Sequence, residues 1–291
     1  MQIKAFFDKA TFTLTYVVFD EATRDAVVID PVLDFDPASG RVTRSSADEV
    51  IAFVRGSGLK VHLVLETHAH ADHLSSSQIL RDAFPGAKVA IGERITVVQK
   101  TFKKIYNLVE SFPTDGSQFD LLLRDNERVV AGSLAFDVLF TPGHTPACAS
   151  YNFDGYVFTG DALFMPDYGT GRADFPDGSA TDLFHSISSR LYMLPDDTRV
   201  FTGHDYQPGG RPLRYESTIG EEKRANIQLK ASTESGEFVK FRTERDATLA
   251  APRLLHPSVQ ININAAHLPE PEVNGRAYVK IPLNIALEKK S

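Results

Sequence analysis

Cysteine is almost missing from this chain. Cys148 is the single one among 291 residues, so no intramolecular disulfide can form and a reducing compartment suits the protein. Long apolar runs are missing too, none approaching the about 18 residues that a membrane span requires. The stretch Met1-Gln2-Ile3-Lys4-Ala5-Phe6-Phe7-Asp8 has neither the charged start nor the apolar centre of a secretion signal. These gaps predict a cytoplasmic protein with no membrane partner. Excess positive charge is the third absence: the net charge is −7, which argues against nucleic acid or an anionic lipid surface as partner. No short-period repeat is present. What the chain does have is a hydrophobic fraction of 42%, enough for a sizeable core in one large domain or two ordinary ones.

Strand and helix patterns alternate along the chain. Residues 12–19 alternate apolar side chains with threonine and pair with 26–29 as a hairpin. Pro31 cannot continue a central ladder, so Asp30 stands at a strand end. It reads as a turn carboxylate or as the partner of a metal-ligand histidine. Residues 34–44 read as loop, and Ser46-Ala47-Asp48-Glu49 has the form of a capping box opening a helix. An apolar strand over 61–65 follows, then helices over 73–84 and 95–108 with a strand over 88–91 between them. Residues 129–140 form two strands bent at Gly132-Ser133, and Asp154-Gly155 turns another hairpin. A helix over 183–194 and a strand over 199–202 complete this part. After Tyr206 come a Gly/Pro-rich basic loop over 207–218, a charged helix over 221–230, and strand-like segments at 259–263 and 278–283. The order predicts an α/β fold of two mixed sheets packed together with helices outside, and an extension over 207–291 packed on that core.

One stretch stands apart. Thr67-His68-Ala69-His70-Ala71-Asp72-His73 places three imidazoles and a carboxylate directly after the strand 61–65. Donors at i, i+2, i+4 and i+5 share no face of a strand or a helix, so the segment loops around something, and a divalent metal is the economical occupant. Three further strands run into Pro142-Gly143-His144, Gly160-Asp161 and Gly203-His204. Strand ends are rigid places to mount chemistry. His68, His70, Asp72, His73, His144, Asp161 and His204 are therefore the candidate donors, enough for two ions. Cys148, between Ala147 and Ala149, reads as a small buried hydrophobe.

This donor pattern resembles the metallo-β-lactamase superfamily, whose αββα sandwich carries a metal site at its open edge. The resemblance implies a single metallo-β-lactamase-like domain over 1–291, but not one reaction. Filling all seven positions would give a dinuclear zinc hydrolase of the glyoxalase II kind, in which Asp161 bridges the ions and hydroxide attacks a glutathione thioester. Filling two histidines and one aspartate would give the facial triad of non-haem Fe(II) oxygenases. A metal or redox sensor module is a reading of a third, non-catalytic class. The surrounding residues separate these readings. Gly160-Asp161-Ala162-Leu163-Phe164, Gly171-Arg172-Ala173-Asp174-Phe175 and Gly203-His204-Asp205-Tyr206 resemble the persulfide dioxygenase (sulfur dioxygenase) family. Pro257-Ser258-Val259-Gln260-Ile261-Asn262 and Lys280-Ile281-Pro282-Leu283-Asn284 are similar to its bacterial branch.

That resemblance implies one Fe(II) per chain on His68, His144 and Asp161, with zinc able to substitute. His70, Asp72, His73 and His204 would then tune the site through hydrogen bonds or hold a second ion. It also implies oxidation of glutathione persulfide by O2 and water to sulfite and glutathione, in a homodimer. One departure from the family is that no rhodanese domain is fused here, so sulfur delivery by a separate sulfurtransferase is left open. Arg172 and Asp174 read as an ion pair fixing the loop after Asp161. Tyr206 reads as a hydrogen-bond donor at the metal or as a core aromatic. Arg214 with Tyr215 are the candidates to bind the carboxylates of glutathione.

Overall fold

The computed structural model describes residues 1–283. Two six-stranded sheets face each other. The first runs in space Gln2–Asp8, Thr13–Phe19, Asp25–Ile29, Lys60–Glu66, Lys88–Gly92, Leu121–Leu123. Its first three strands pair antiparallel and the others parallel. The second runs Arg128–Ala131, Leu134–Phe140, Ala149–Asn152, Tyr156–Phe158, Arg199–Phe201, Glu216–Thr218. It is antiparallel except where Tyr156–Phe158 meets Arg199–Phe201.

Side-chain alternation sets the layers. Leu14, Tyr16 and Val18 point into the space between the sheets, where Ile29, Leu65, Phe136, Tyr151, Phe158 and Phe201 join them. The intervening Val17, Val28 and Val64 face outward, under Val50, Val54, Leu80, Val98 and Phe102 of the helices Ser45–Gly56, Ser77–Ala83 and Ile95–Ile105. Burial on both faces is why 61–65 reads as an apolar run broken only by the half-buried His62, which pairs with Asp25. On the far side, Val157 and Val200 pack on Leu183, Ile187 and Phe238 of helices Ala180–Ser188 and Ser235–Asp246. The architecture is the αββα sandwich of two mixed sheets with outer helices.

Several local expectations fail, each for a physical reason. Ser46 does not cap its helix: its N–H and Oγ both donate to Asp34, at 2.9 and 2.8 Å. Asp34 is in place because 34–44 is not loop but mostly the hairpin Val32–Asp36 with Arg41–Thr43, Pro37 and Gly40 lying in its turn. Leu74–Ser75 adds a third strand to that hairpin, so the helix after the motif starts at Ser77. The helix expected over 183–194 is Ala180–Ser188 followed by a separate turn at Leu191–Met193, and those over 95–108 and 221–230 end earlier, at Ile105 and Ala225. Residues 259–263 are not a strand. They fall mainly in helix Leu255–Asn262, whose first turn accommodates Pro257 because N–H groups there lack helical partners. Residues 278–283 form no strand, and Asn284 of the quoted C-terminal motif lies outside the described residues.

Candidate metal centre

Four strands lead into this site. Lys60–Glu66 delivers the motif loop, Leu134–Phe140 leads to His144, Tyr156–Phe158 to Asp161, and Arg199–Phe201 to His204. The loops approach closely enough to demand glycine at two positions. Gly160 has φ +50°, and a Cβ there would stand 2.5 Å from Thr67 Oγ1; one on Gly171 would stand 1.9 Å from the Asp161 carbonyl oxygen.

His68, His144 and Asp161 come together: one donor atom of each lies within 4.8 Å of the others, and all three residues are buried. His144 Nε2 is 3.6 Å from Asp161 Oδ2. His70, Asp72 and His73 form a second group of donors equally close together, with Asp72 only half-buried. His204 joins the two, its Nε2 standing 3.2 Å from both Asp72 Oδ2 and Asp161 Oδ1.

The acceptors around each ring orient it. His144 Nδ1 donates to the Arg172 carbonyl at 2.7 Å, His73 Nδ1 to that of Leu74 at 3.1 Å, and His204 Nδ1 to that of Phe12 at 3.2 Å. Thr67 Oγ1 gives its one proton to Asp30 at 2.8 Å and so accepts from His68 Nδ1 at 3.0 Å. Four rings thus turn Nε2 inward. The Nε2 atoms of His68, His73 and His204, with Asp72 Oδ2 and Asp161 Oδ1, are buried and have no hydrogen-bond partner. Such a set of buried N and O donors fits a metal ion.

Electrostatics agree. Burial lowers the pKa of His68 well below the usual value and that of His73 to about 4, keeping both rings neutral ligands. Burial also opposes ionisation of Asp161, yet the imidazoles of His204, His144 and His68 hold its carboxyl well below the usual range. At His204 the charges of Asp161 and Asp72 outweigh the effect of burial and raise the pKa to about 9, so without an ion the ring itself holds a proton between those carboxylates.

His70 is arranged differently. Its Nε2 faces Asp30 Oδ1 at 3.0 Å and Glu66 Oε2 at 3.5 Å. Burial would lower its pKa, but the two carboxylates reverse that and raise it. Asp30, at φ +49°, also accepts the Thr67 N–H at 2.7 Å, so it serves as turn carboxylate and histidine partner together. Glu66 accepts from the hydroxyls of Ser75 and Ser77. Asn262, at the end of helix Leu255–Asn262, pins this loop. Its Nδ2 donates to the carbonyls of His70 and His73, both at 2.8 Å, and its Oδ1 accepts the Ser75 N–H at 2.9 Å. Sequence reasoning passed over Asn262 in this role; the available signal was a short amide between Ile261 and Ile263.

A cavity of about 400 Å³ opens over Asp72, His144 and Asp161. Tyr206 lines its wall, stacked on Tyr168 at 4.7 Å and on His204 at 5.5 Å, and burial pushes its phenol pKa up. Arg172 and Asp174 form a bidentate pair at 2.6 and 2.8 Å. Arg214 instead pairs with Glu221 at 3.2 Å, and Tyr215 packs edge-on against Tyr16; neither is among the cavity-lining residues. The buried Cys148 accepts from the Thr145 N–H, and burial pushes its thiol up to about 12, an inert setting. No helix among the described residues is long and apolar enough to cross a membrane.

The family model of the metallo-beta-lactamase superfamily matches residues 9–204, the stretch holding every donor above. The chain belongs to that superfamily. This superfamily member is 48% identical over 284 residues to Glyoxylase B2 of Dictyostelium discoideum, covering 97% of each chain. It is 32% identical to the mitochondrial persulfide dioxygenase ETHE1 of Homo sapiens, over 82% of this chain and 79% of that one. The crystal structure of ETHE1 from Myxococcus xanthus matches with a TM-score of 0.73 and 34% identity, covering 92% of this chain and 100% of that one.

Proposed function

We propose that this superfamily member is a mononuclear non-haem Fe(II) persulfide dioxygenase, converting glutathione persulfide, O2 and water to glutathione and sulfite. The orientation of His70, whose ring lies 4.1 Å from that of His68 but turns its Nε2 away, carries the reading. With its Nε2 turned to Asp30 and Glu66, the group that remains is two imidazoles and one carboxylate, the donor set of non-haem iron oxygenases. Likeness to the human and Myxococcus proteins supports it.

His68, His144 and Asp161 would hold the iron. Iron bound there supplies redox chemistry with O2 that no side chain can provide. The chain's own residues position and shield. Phe164, Tyr168 and Tyr206 wall the cavity and keep water from the reacting sulfur. Arg172, held by Asp174, keeps its carbonyl on His144 Nδ1 and so fixes the ring's orientation. Tyr206 offers that wall a phenol that burial keeps protonated, a donor for oxygen atoms gaining charge. The reaction balances: the terminal sulfur loses four electrons to one O2, water supplies the third oxygen of sulfite, and glutathione leaves as the S–S bond breaks.

A dinuclear zinc thioester hydrolase is the second reading, favoured by the partnerless Asp72 Oδ2, His73 Nε2 and His204 Nε2 and by the relative named Glyoxylase B2. Loading the protein with Fe(II) or Zn(II) and following oxygen uptake with glutathione persulfide, beside hydrolysis of S-lactoylglutathione, separates the two. Uptake is expected from the iron form. Thioester hydrolysis by the zinc form with no uptake by either would put the second reading in place of the first.

A further inference from the structure

The cavity mouth carries positive charge that the metal centre does not use. Arg172, Arg242, Arg245 and Arg253 all line it. Two of them are engaged. Arg172 is held by Asp174, and Arg242, only 2% exposed, is held by Asp246 and Gln228. The other two have no carboxylate partner among the described residues, Arg245 reaching only the Tyr168 hydroxyl on the same wall. Arg245, in the last turn of helix Ser235–Asp246, and Arg253, in the irregular stretch that follows, are both exposed. Neither forms an ion pair among the described residues, although the charge of Arg253 helps lower the pKa of Asp36. The acids on the cavity wall are Asp72 and Asp161, both belonging to the metal centre. A chain of net charge −7 thus keeps two guanidinium groups without a carboxylate partner at one opening, where they attract and orient anions.

We propose that Arg245 and Arg253 bind the carboxylates of the substrate, so that the site takes thiol compounds carrying carboxylates and discriminates against neutral ones of the same size. The sulfur chemistry of that substrate rests on the dioxygenase reading; the recognition of a carboxylated thiol does not. A guanidinium presents two parallel N–H donors that match one carboxylate, and two such forks match a peptide-like thiol with a carboxylate at each end. Leu249 and Pro252 give the same mouth an apolar edge for the aliphatic part. The cavity, about 400 Å³, has the size of a small-ligand site. Arg214, paired with Glu221 away from the cavity lining, is the natural control.

The test compares the wild type, Arg245→Ala/Arg253→Ala, the corresponding double Lys variant and Arg214→Ala. Oxygen uptake by the iron-loaded proteins is measured with glutathione persulfide and with the persulfide of glutathione diethyl ester, whose carboxylates are capped. The double Ala variant is expected to raise KM for glutathione persulfide roughly tenfold while kcat and the KM for the diester stay put; Lys recovers part of the loss, and Arg214→Ala changes neither constant. An unchanged KM in the double Ala variant overturns the assignment. Calorimetric binding of S-methylglutathione gives a readout without turnover, and a thermal melt checks that each variant folds. Binding by the wild type that the double Ala variant loses supports the assignment, even if no persulfide is oxidised and the dioxygenase reading falls. Equal binding by both, or none by the wild type, overturns it.

Discussion

The chain up to Tyr206 and the chain after it meet the metal centre in different ways. The first part supplies all seven candidate donors, each just beyond a strand, and phenols in the core tie those strand ends across the sandwich. Tyr151 donates to the Glu66 carbonyl and Tyr16 to that of Thr202, both at 2.7 Å. The second part supplies none of the seven. It supplies Asn262, which grips the motif loop from behind, and Arg245 and Arg253, which stand at the mouth. Strand ends carry the donors, while the second part steadies the motif loop and, in the proposal above, selects what enters. The two contributions can therefore be broken separately.

The largest effect falls on the first part. Asp161→Asn removes the one anionic donor of the first group, and oxygen uptake should fall by roughly 1000-fold, about 4 kcal/mol of barrier, together with the iron content. Elemental analysis beside uptake measurements checks this; iron retained in full would shift the site to Asp72, His73 and His204. Asn262→Ala strikes from the second part. Three buried backbone groups lose their partner at about 1 kcal/mol or more each, lowering Tm by roughly 5–10 °C. Iron affinity should fall with it while KM at saturating iron stays constant, and a Tm loss without an affinity loss would reduce Asn262 to packing.

His70→Ala should weaken iron binding by about 10–100-fold, the usual cost of losing a residue behind the ligands, while leaving one iron per chain. Chelator competition reads the affinity, and complete loss of iron would put His70 among the donors. The smallest effect belongs to Glu222, in helix Ile219–Ala225 of the second part. Burial pushes its carboxyl up to about 8 against bonds donated by Ser217 and Asn226. The folded state holds this proton more tightly than the unfolded chain does, with its ordinary value of 4.5. The stability present below that value is therefore lost as pH rises toward 8. Glu222→Gln should be neutral near pH 5 and stabilising by about 1–2 kcal/mol near pH 8.5 in denaturant titrations. A difference that does not vary with pH would contradict this.

How legible each part was follows the same division. Between Phe12 and Tyr206 the apolar strands, their Gly-His and Gly-Asp endings and the Asp154-Gly155 turn are written locally, so the donors and their placement at strand ends could be read directly. Failures there came from tertiary competition: Asp34 captured Ser46, and a second hairpin hid in the stretch around Pro37 and Gly40. Gln2–Asp8 went unread because an edge strand half exposed along its length shows little alternation. After Tyr206 the informative contacts are polar and long-range. Helix Ser235–Asp246 buries Arg242 and Asp246 along with Phe238, so its inner face carries no apolar stripe to detect. Asn262 reaches back to His70, and Arg245 and Arg253 acquire meaning only once the fold brings them to the cavity.

Metal counting combined with oxygen consumption on one iron-loaded preparation tests the central claim most directly. One iron per chain, with one O2 consumed for each sulfite formed from glutathione persulfide, is the predicted result. Two ions per chain, with S-lactoylglutathione hydrolysed and no oxygen consumed, would contradict it.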